Sequence, residues 1–322
     1  MKNLVYITGS GRSGSTLLDM LLGTHPNVAA LGEVHRFSIN IGRDAVPYRC
    51  TCGDSLLNCD FWSAVINKIS EEGKDPLNLK TAWSRYKDIP PNADGTNVVE
   101  YVAPRNLLGK FDVFNLLLAF GYGRVVDLLS PFISKFREGK EVAENSWYLY
   151  EKISELFNKD IIVDGTKTPG RLLALKTFNP NNTPIKVIYL VRDGRAVTHA
   201  RMYRQEVTME DAARIWVTEH KKISLALKRF DTPPLIIKYE DLCLETEKIL
   251  TEVFNYIGAG PSGGVNNEFR KSSHSLGGNP MRLRTSENEI KLNDKWKIEL
   301  SKSDFQDFER IVGNLNRKFG YE

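Results

Sequence analysis

Residues 4–18 constrain this chain more than any other stretch. Leu4-Val5-Tyr6-Ile7 is a short apolar run, which reads as a buried parallel strand. A loop of glycines and serines follows from Thr8 to Thr16, and then Leu17, Leu18, Leu21 and Leu22 recur at helical spacing. Strand, small-residue loop and helix in that order form a cradle for an anion. Successive backbone N–H groups and the positive end of the helix face into it. The plainer alternative is an ordinary glycine-rich turn.

Gly9-x4-Gly14-Ser15-Thr16 comes close to the G-x4-G-K-[ST] pattern that holds nucleotide phosphates, with Ser15 where the lysine belongs. Arg12 moves the positive charge earlier in the loop. A nucleotide kinase keeps that lysine on its β/γ-phosphates, so the exchange argues against ATP chemistry.

The chain has 322 residues with 41% hydrophobic content, room for one large α/β domain with insertions or for two domains. A net charge of +4 from 44 basic and 40 acidic residues is too balanced to imply nucleic-acid binding. A local basic pocket for a small anion remains compatible with it. The first strand begins almost at once, leaving no room for a signal peptide before Arg12, and no apolar run approaches a membrane span. A soluble, cytoplasmic protein is expected. Four cysteines in this length do not make a disulfide scaffold.

Further strands are expected at 28–31, 161–164, 186–191 and 234–239, each followed by a turn or a helical pattern. Residues 38–160 differ. Cys50-Thr51-Cys52-Gly53 and Cys59 open the segment, Phe61-Trp62 follow, and Pro90-Pro91 and Asp94-Gly95 act as breakers. Phe111, Phe114, Leu117, Leu118, Val125, Leu128, Leu129 and Phe132 suggest two apolar helices or a broken one, and Trp147 to Phe157 another. This segment reads as a helical insertion. Thr208-x-x-Asp211 reads as a helix N-cap, and Gly258 as the stop of a helix over 245–257. The tail is loop-rich, with Gly263-Gly264 and Gly277-Gly278, and closes on a helix at 301–318. Strands alternating with helices predict a doubly wound parallel α/β sheet.

Two strand ends carry arginine: Arg12, and Arg192 with Arg195. Two basic clusters on one sheet edge suit a ligand with separated phosphates, whereas the alternative for Arg192 and Arg195 is surface ion pairing. A cation at a helix N-terminus opposes the macrodipole, a conflict that a bound anion removes.

Gly11-Arg12-Ser13-Gly14-Ser15-Thr16-Leu17-Leu18 resembles the 5′-phosphosulfate loop of sulfotransferases that use 3′-phosphoadenosine 5′-phosphosulfate (PAPS). Leu190-Val191-Arg192-Asp193-Gly194-Arg195-Ala196-Val197 resembles their 3′-phosphate motif. Tyr239-Glu240-Asp241-Leu242 is similar to a later segment whose tyrosine lies near the adenine. Cys50-x-Cys52-Gly53 with Cys59-x-Phe61-Trp62, and His274 with Gly278-Asn279-Pro280-x-Arg282, are similar to bacterial-type members.

The resemblance implies a single domain over 1–322, a P-loop kinase-like sheet with the insertion at 38–160, and PAPS as co-substrate with no metal required. Gly11, Arg12, Ser13, Gly14, Ser15 and Thr16 would hold the 5′-phosphosulfate; Arg192, Tyr239 and Arg282 would complete the cofactor site. The family's 3′-phosphate serine falls on Ala200, so Thr198 or another loop must supply that hydroxyl. Lys167 in Asp164-Gly-Thr-Lys167-Thr-Pro169 resembles a lysine that assists at the transferring group; a solvated loop lysine is the alternative. Glu33 is favoured as the base that activates the acceptor, with His35 as its rival and a hydrogen-bonded structural role as the plainer reading of His35.

Cys50, Cys52 and Cys59 do not complete a tetrahedral site, and no fourth ligand stands nearby in sequence, so reduced thiols or one disulfide are expected. Trp216 and His220 read as helix packing, and Glu240 and Asp241 as a helix cap. The reaction implied is sulfonate transfer to a hydroxyl or amine. The acceptor class stays open among carbohydrate, lipid, peptide and small molecule, shaped by the insertion. A divergent P-loop kinase and a nucleotide-binding module without catalysis are the competing readings.

Overall fold

Each of the five apolar runs becomes a strand of one parallel sheet. In the computed structural model of the chain, residues 1–83, 112–261, 264, 269–270, 273–283 and 289–322 are described. Pro90-Pro91, Asp94-Gly95, Phe111 and Gly263 lie outside the described residues. The strands are β1 (Asn3–Gly9), β2 (Val28–Ala30), β3 (Ile161–Lys167), β4 (Ile185–Val191) and β5 (Leu235–Lys238), in spatial order β2-β3-β1-β4-β5. All four pairings are parallel.

Alternation along the strands divides the core into two faces. Leu4, Tyr6, Ile162 and Val187 face a layer that includes α3 (Asp60–Glu71), α6 (Ser134–Phe157) and α7 (Pro169–Thr177). Val5, Ile7, Val163, Ile188 and Leu190 face α1 (Ser15–Leu22), α10 (Tyr239–Leu244) and α11 (Thr246–Ile257). A further cluster joins α8 (Gly194–Gln205) and α9 (Met209–Leu227) to α12 (Trp296–Glu299) and α13 (Lys302–Lys318) around Trp216 and Phe308. The sheet is therefore covered on both sides, as the apolar strands require.

Among the described residues of 38–160 there is no strand. This region includes α3, α4 (Val113–Ala119), α5 (Gly123–Leu129) and α6, after the short α2 (Phe37–Asn40). Two separate helices carry the apolar run 113–129, but only part of it turns inward. Phe114, Leu118 and Val126 are buried, whereas Val113, Phe120, Leu128 and Phe132 are exposed. The long α6 starts well before Trp147, its polar first half lying beyond the reach of an apolar signal. No described helix is long and apolar enough to cross a membrane.

Two local readings match in detail. Thr208 caps α9 by accepting from Asp211 N at 3.1 Å, and Gly258 ends α11 with φ 75°. β3 runs beyond Asp164 to Lys167. A bulge against β1 between Tyr6 and Thr8 breaks the ladder and lets Lys167 rejoin opposite Thr8.

Candidate functional site

β1 and β4 are neighbours, yet the chain leaves them in opposite directions, through α1 toward β2 and through α8 toward β5. That switch point opens a crevice at the C-terminal ends of the strands, where α/β sheets hold ligands. Gly9 pairs with Leu190 across it. A Cβ on Gly9 would lie 2.4 Å from the Leu190 carbonyl oxygen, so only glycine lets the loop leave β1 this close to β4.

The loop then turns through Arg12 at φ 73° and Gly14 at φ 94° into α1. No side chain caps that helix, and its first turn carries no acid. Among the described residues Ser15 N and Thr16 N at its start have no backbone acceptor, whereas Leu17 N donates to the Gly14 oxygen at 2.9 Å; free amides in a helix's first turn are the groups that can bind an anion. The Ser13 hydroxyl is buried with no hydrogen-bond partner among the described residues. Gly14 lies against the Tyr239 ring, whose Cδ2 would be 2.2 Å from an added Cβ.

Arg192, 8% exposed, stacks its guanidinium 4.3 Å from the centroid of the same ring. It donates to the carbonyl oxygens of Arg12 at 3.0 Å and Asn293 at 2.7 Å. Its bonds go to neutral carbonyls, so its charge stays available to an anion. Arg195 differs: it pairs with its own helix N-cap, Asp193, at 2.7 Å and lies over Trp296. Its ion-pairing reading therefore holds. Thr198, the residue expected to make up for the hydroxyl missing at Ala200, is fully buried. Its Oγ1 donates within α8 to the Gly194 oxygen at 2.8 Å.

Sequence reasoning missed Arg201. It is 4% exposed and holds Glu219 through Nη2 at 3.0 Å, while Ser10 Oγ donates to the same carboxylate at 2.5 Å. Its Nη2 lies 3.2 Å from where a Gly11 Cβ would stand. Burial, then Arg204 and Arg201, push the Arg12 guanidinium down to about 10. A loop whose cations repel one another gains from a polyanion. The available signal was the helical recurrence of Val197, Arg201 and Arg204 on one face.

On the other side of β1, the ends of β2 and β3 bring Glu33 and Lys167 together. Glu33 Oε1 accepts from Lys167 Nζ at 2.6 Å, with about a fifth of each side chain exposed, 20% and 18%. Burial pushes the Glu33 carboxyl up, but Lys167, His35 and Arg36 outweigh it and hold it at about 2. Burial takes the His35 imidazole down to about 3 against the opposing pull of Glu33. His35 Nδ1 lies 3.3 Å from Thr166 Oγ1.

Beneath them runs a buried network. Asp164 binds Arg171 Nε at 2.8 Å, Tyr150 OH at 2.6 Å and Thr166 N at 2.8 Å. Arg171 also reaches Ser146 Oγ at 2.9 Å and the Thr81 oxygen at 2.6 Å. This ties the helical cover to β3 just below the Glu33–Lys167 pair. Removing one partner of such a pair costs about 3–5 kcal/mol.

A chain segment far from the loop closes the floor. Leu276 bridges to Gly32 in parallel, and Glu33 N donates to its oxygen at 2.6 Å. Gly278 lies against Thr16, whose Oγ1 accepts from Asn279 N at 3.0 Å. Buried Asp19 anchors both parts, accepting from Gly32 N at 3.0 Å and from Ser275 Oγ. Burial raises its carboxyl to about 7. Ser15, Thr16, Glu33 and Lys167 line one small cavity with Asp19 and Gly277. Arg282 is 2% exposed in the turn Pro280–Leu283, which packs on α1, and burial lowers its guanidinium to about 10. A larger open depression, lined by Met1, Lys2, Glu151 and Asn181, lies at the N-terminal edge of the sheet and holds none of these groups.

Other residues take structural places. His220 is buried beside Trp216 and bonded to the Tyr189 hydroxyl. Glu240 accepts from Asp193 N at 3.2 Å and Tyr321 OH at 2.6 Å. It and Asp241 sit in the first turn of α10, not at a cap, since Lys238 takes that position. Cys50, Cys52 and Cys59 are free thiols. They do acquire a fourth neighbour, His274, from 215 residues beyond Cys59.

No protein-family model and no curated protein matches the chain. Solved structures do. The sulfotransferase domain of the Synechococcus PCC 7002 olefin synthase superposes with a TM-score of 0.52 at 19% identity, covering 100% of this chain and 97% of that one. The sulfotransferase domain of the curacin biosynthetic pathway gives 0.51 at 18%, covering 100% and 99%. With one parallel five-stranded sheet, helices on both faces and a glycine-rich loop after β1, this chain has the α/β fold of the sulfotransferases.

Proposed function

We propose that this chain is a single-domain sulfotransferase. It moves a sulfonate from PAPS to a hydroxyl or amine acceptor by in-line displacement, with Glu33 as general base. One observation carries the reading: Glu33 and Lys167 line the same small cavity as Ser15 and Thr16 at the open edge of the sheet. Bound PAPS supplies an activated sulfonate. The amides and hydroxyls of Ser13 to Thr16 bind its 5′ end, and Arg12 and Arg192 offset the phosphate charges. Tyr239 and Arg192 form a stacked platform beside the loop.

Glu33 takes the proton from the acceptor hydroxyl on its carboxylate oxygen. Lys167 holds that carboxylate ionised until a second anion competes for its ammonium group. His35, neutral and bonded at Thr166, positions the end of β2. Thr16 Oγ1 already accepts from Asn279 N, unlike the magnesium-bound hydroxyl of a kinase loop. The helical cover over 38–160 shapes the acceptor side. The reading places the protein in the cytoplasm, acting on a carbohydrate, lipid, peptide or small-molecule hydroxyl without nucleic acid or a membrane span.

The test has two arms. Titration with 3′-phosphoadenosine 5′-phosphate should raise the melting temperature without magnesium, and radiolabelled PAPS should transfer label to members of a hydroxyl acceptor panel. Equal binding of ATP, or a magnesium requirement, would count against the reading.

A further inference from the structure

The three cysteines at the start of the helical cover have a partner that sequence distance conceals. Cys50, Cys52, Cys59 and His274 place one donor atom each within 4.8 Å of one another. His274 Nδ1 stands 3.6 Å from Cys50 Sγ and 3.4 Å from Cys59 Sγ. A tetrahedron with Zn–S bonds of about 2.3 Å and a Zn–N bond of about 2.0–2.1 Å has edges of roughly 3.5–3.8 Å. We propose that Cys50, Cys52, Cys59 and His274 bind one structural Zn²⁺ ion.

The donor set selects the metal. Three thiolates and one imidazole suit zinc, and four protein ligands leave no open position for a substrate or water. The site is therefore a staple and not a catalytic centre.

The surroundings are built for it. Cys50 and Cys52 sit on a tight turn closed by Gly53 N to the Cys50 oxygen at 3.0 Å, with Gly53 at φ 101°. Cys59 is the N-cap residue of α3. The Phe61 ring stacks on the His274 imidazole at 5.1 Å and 6°. Trp62 Nε1 donates to the His274 oxygen at 2.8 Å, and Thr51 Oγ1 to the next carbonyl, Ser275, at 2.9 Å. The stacked ring holds the plane of the imidazole, and the two hydrogen bonds hold the backbone that carries it. Zn²⁺ with three thiolates carries a net charge of about −1, and the buried cation of Arg282 interacts with both Cys50 and Cys52.

The ion would pin residues 274–279 to the turn at 50–59. That same segment bridges Gly32, packs Gly277 against Glu33 and Arg36, and gives Asn279 N to Thr16. Metal binding thus supports the floor of the crevice from behind, whatever reaction takes place above it.

The experiment uses the full chain, purified without metal-affinity resin, equilibrated with equimolar Zn²⁺ and desalted. Elemental analysis should give about one Zn²⁺ per chain. Cys52→Ser, at the partly exposed ligand, should lose most of it, and a chelator should lower the melting temperature of the wild-type chain but not of this variant. Should Cys52→Ser fail to fold, Co²⁺ exchange into the wild-type protein decides the matter through tetrahedral ligand-field bands and thiolate-to-cobalt charge transfer. A metal-free folded chain would overturn the proposal, whether peptide mapping found a disulfide among these cysteines or three alkylatable thiols. So would wild-type melting that is insensitive to zinc removal.

Discussion

Glu33 Oε1 and Lys167 Nζ lie 2.6 Å apart, joining the ends of β2 and β3 across a gap of 134 residues in sequence. The pair explains how a half-buried carboxylate stays ionised beside the glycine-rich loop after β1. In the proposed mechanism it also keeps the base at rest, because a carboxyl held at about 2 is a weak proton acceptor. Drawing Lys167 toward a bound anion would raise the basicity of Glu33 at the moment it is needed. In the proposed mechanism the ammonium would thereby couple ligand binding to proton transfer.

Lys167→Met tests that coupling through pH. In the wild-type chain Glu33 lies below its ordinary value, so its contribution to stability is present above about 4.5 and is lost as pH falls through about 2. Without the ammonium, its charge and its hydrogen bond no longer hold the carboxyl down, and the carboxyl rises. The acid limb of the kcat/KM profile should move to higher pH. An unmoved limb would show that another group titrates there.

Glu33→Gln keeps the shape but removes the basic carboxylate. Turnover should fall by about 10²–10⁴-fold, with little change in the affinity for 3′-phosphoadenosine 5′-phosphate measured by calorimetry. His35→Ala should keep most of the turnover. The reverse pattern would make His35 the base.

Arg192→Ala and Arg195→Ala should separate, although they belong to one motif. Among the described residues Arg192 has no carboxylate partner, and its loss should weaken 3′-phosphoadenosine 5′-phosphate binding by about 1.5–3 kcal/mol, or roughly ten- to hundred-fold. Arg195 is already committed to Asp193, so its variant should bind near the wild-type level. Calorimetry on folded variants decides between this and equal losses.

Gly14→Ala should cost both stability and binding. The new Cβ would lie 2.2 Å from Tyr239 Cδ2 at a φ of 94°. Strain of this kind costs about 1–3 kcal/mol, with the clash in addition. Tyr239→Ala in the same chain relieves the clash but not the dihedral, so urea unfolding should show partial recovery. Full stability in the single variant would contradict this packing.

Asp19 predicts an opposite pH trend. Burial raises its carboxyl to about 7, so the folded chain binds the proton more tightly than the unfolded one. Its contribution to stability is complete below about 3.9, and is lost as pH rises through about 7, a change of a few kcal/mol. Asp19→Asn should flatten this part of the profile and be the more stable chain at pH 8. Thermal unfolding between pH 5 and 8 checks it.

Much of the fold was legible because its signals are local. A parallel strand covered on both faces must be apolar throughout, and Leu4 to Ile7, Ile161 to Val163 and Val187 to Val191 announce themselves in that way. Gly9 and Gly14 mark the loop because backbone proximity and positive φ require glycine. Arg12, Arg192 and Tyr239 could be placed because each follows a strand. Caps such as Thr208 bind a backbone amide only three residues away.

Tertiary structure alone decided which strand ends meet. Sheet order sets β2 beside β3 and so gives Glu33 its lysine, while β1 beside β4 brings the loop to Arg192. Thr198 turned into its helix, Arg195 took Asp193, and Arg201 reached the loop through Glu219. His274 arrived at Cys59 from 215 residues away. The physical reason is range. Hydrophobic period and dihedral preference act over a few residues and are written in each segment. Ion pairs and ligand clusters exist only after burial has packed remote segments together, and no local pattern encodes which partner each charge will find.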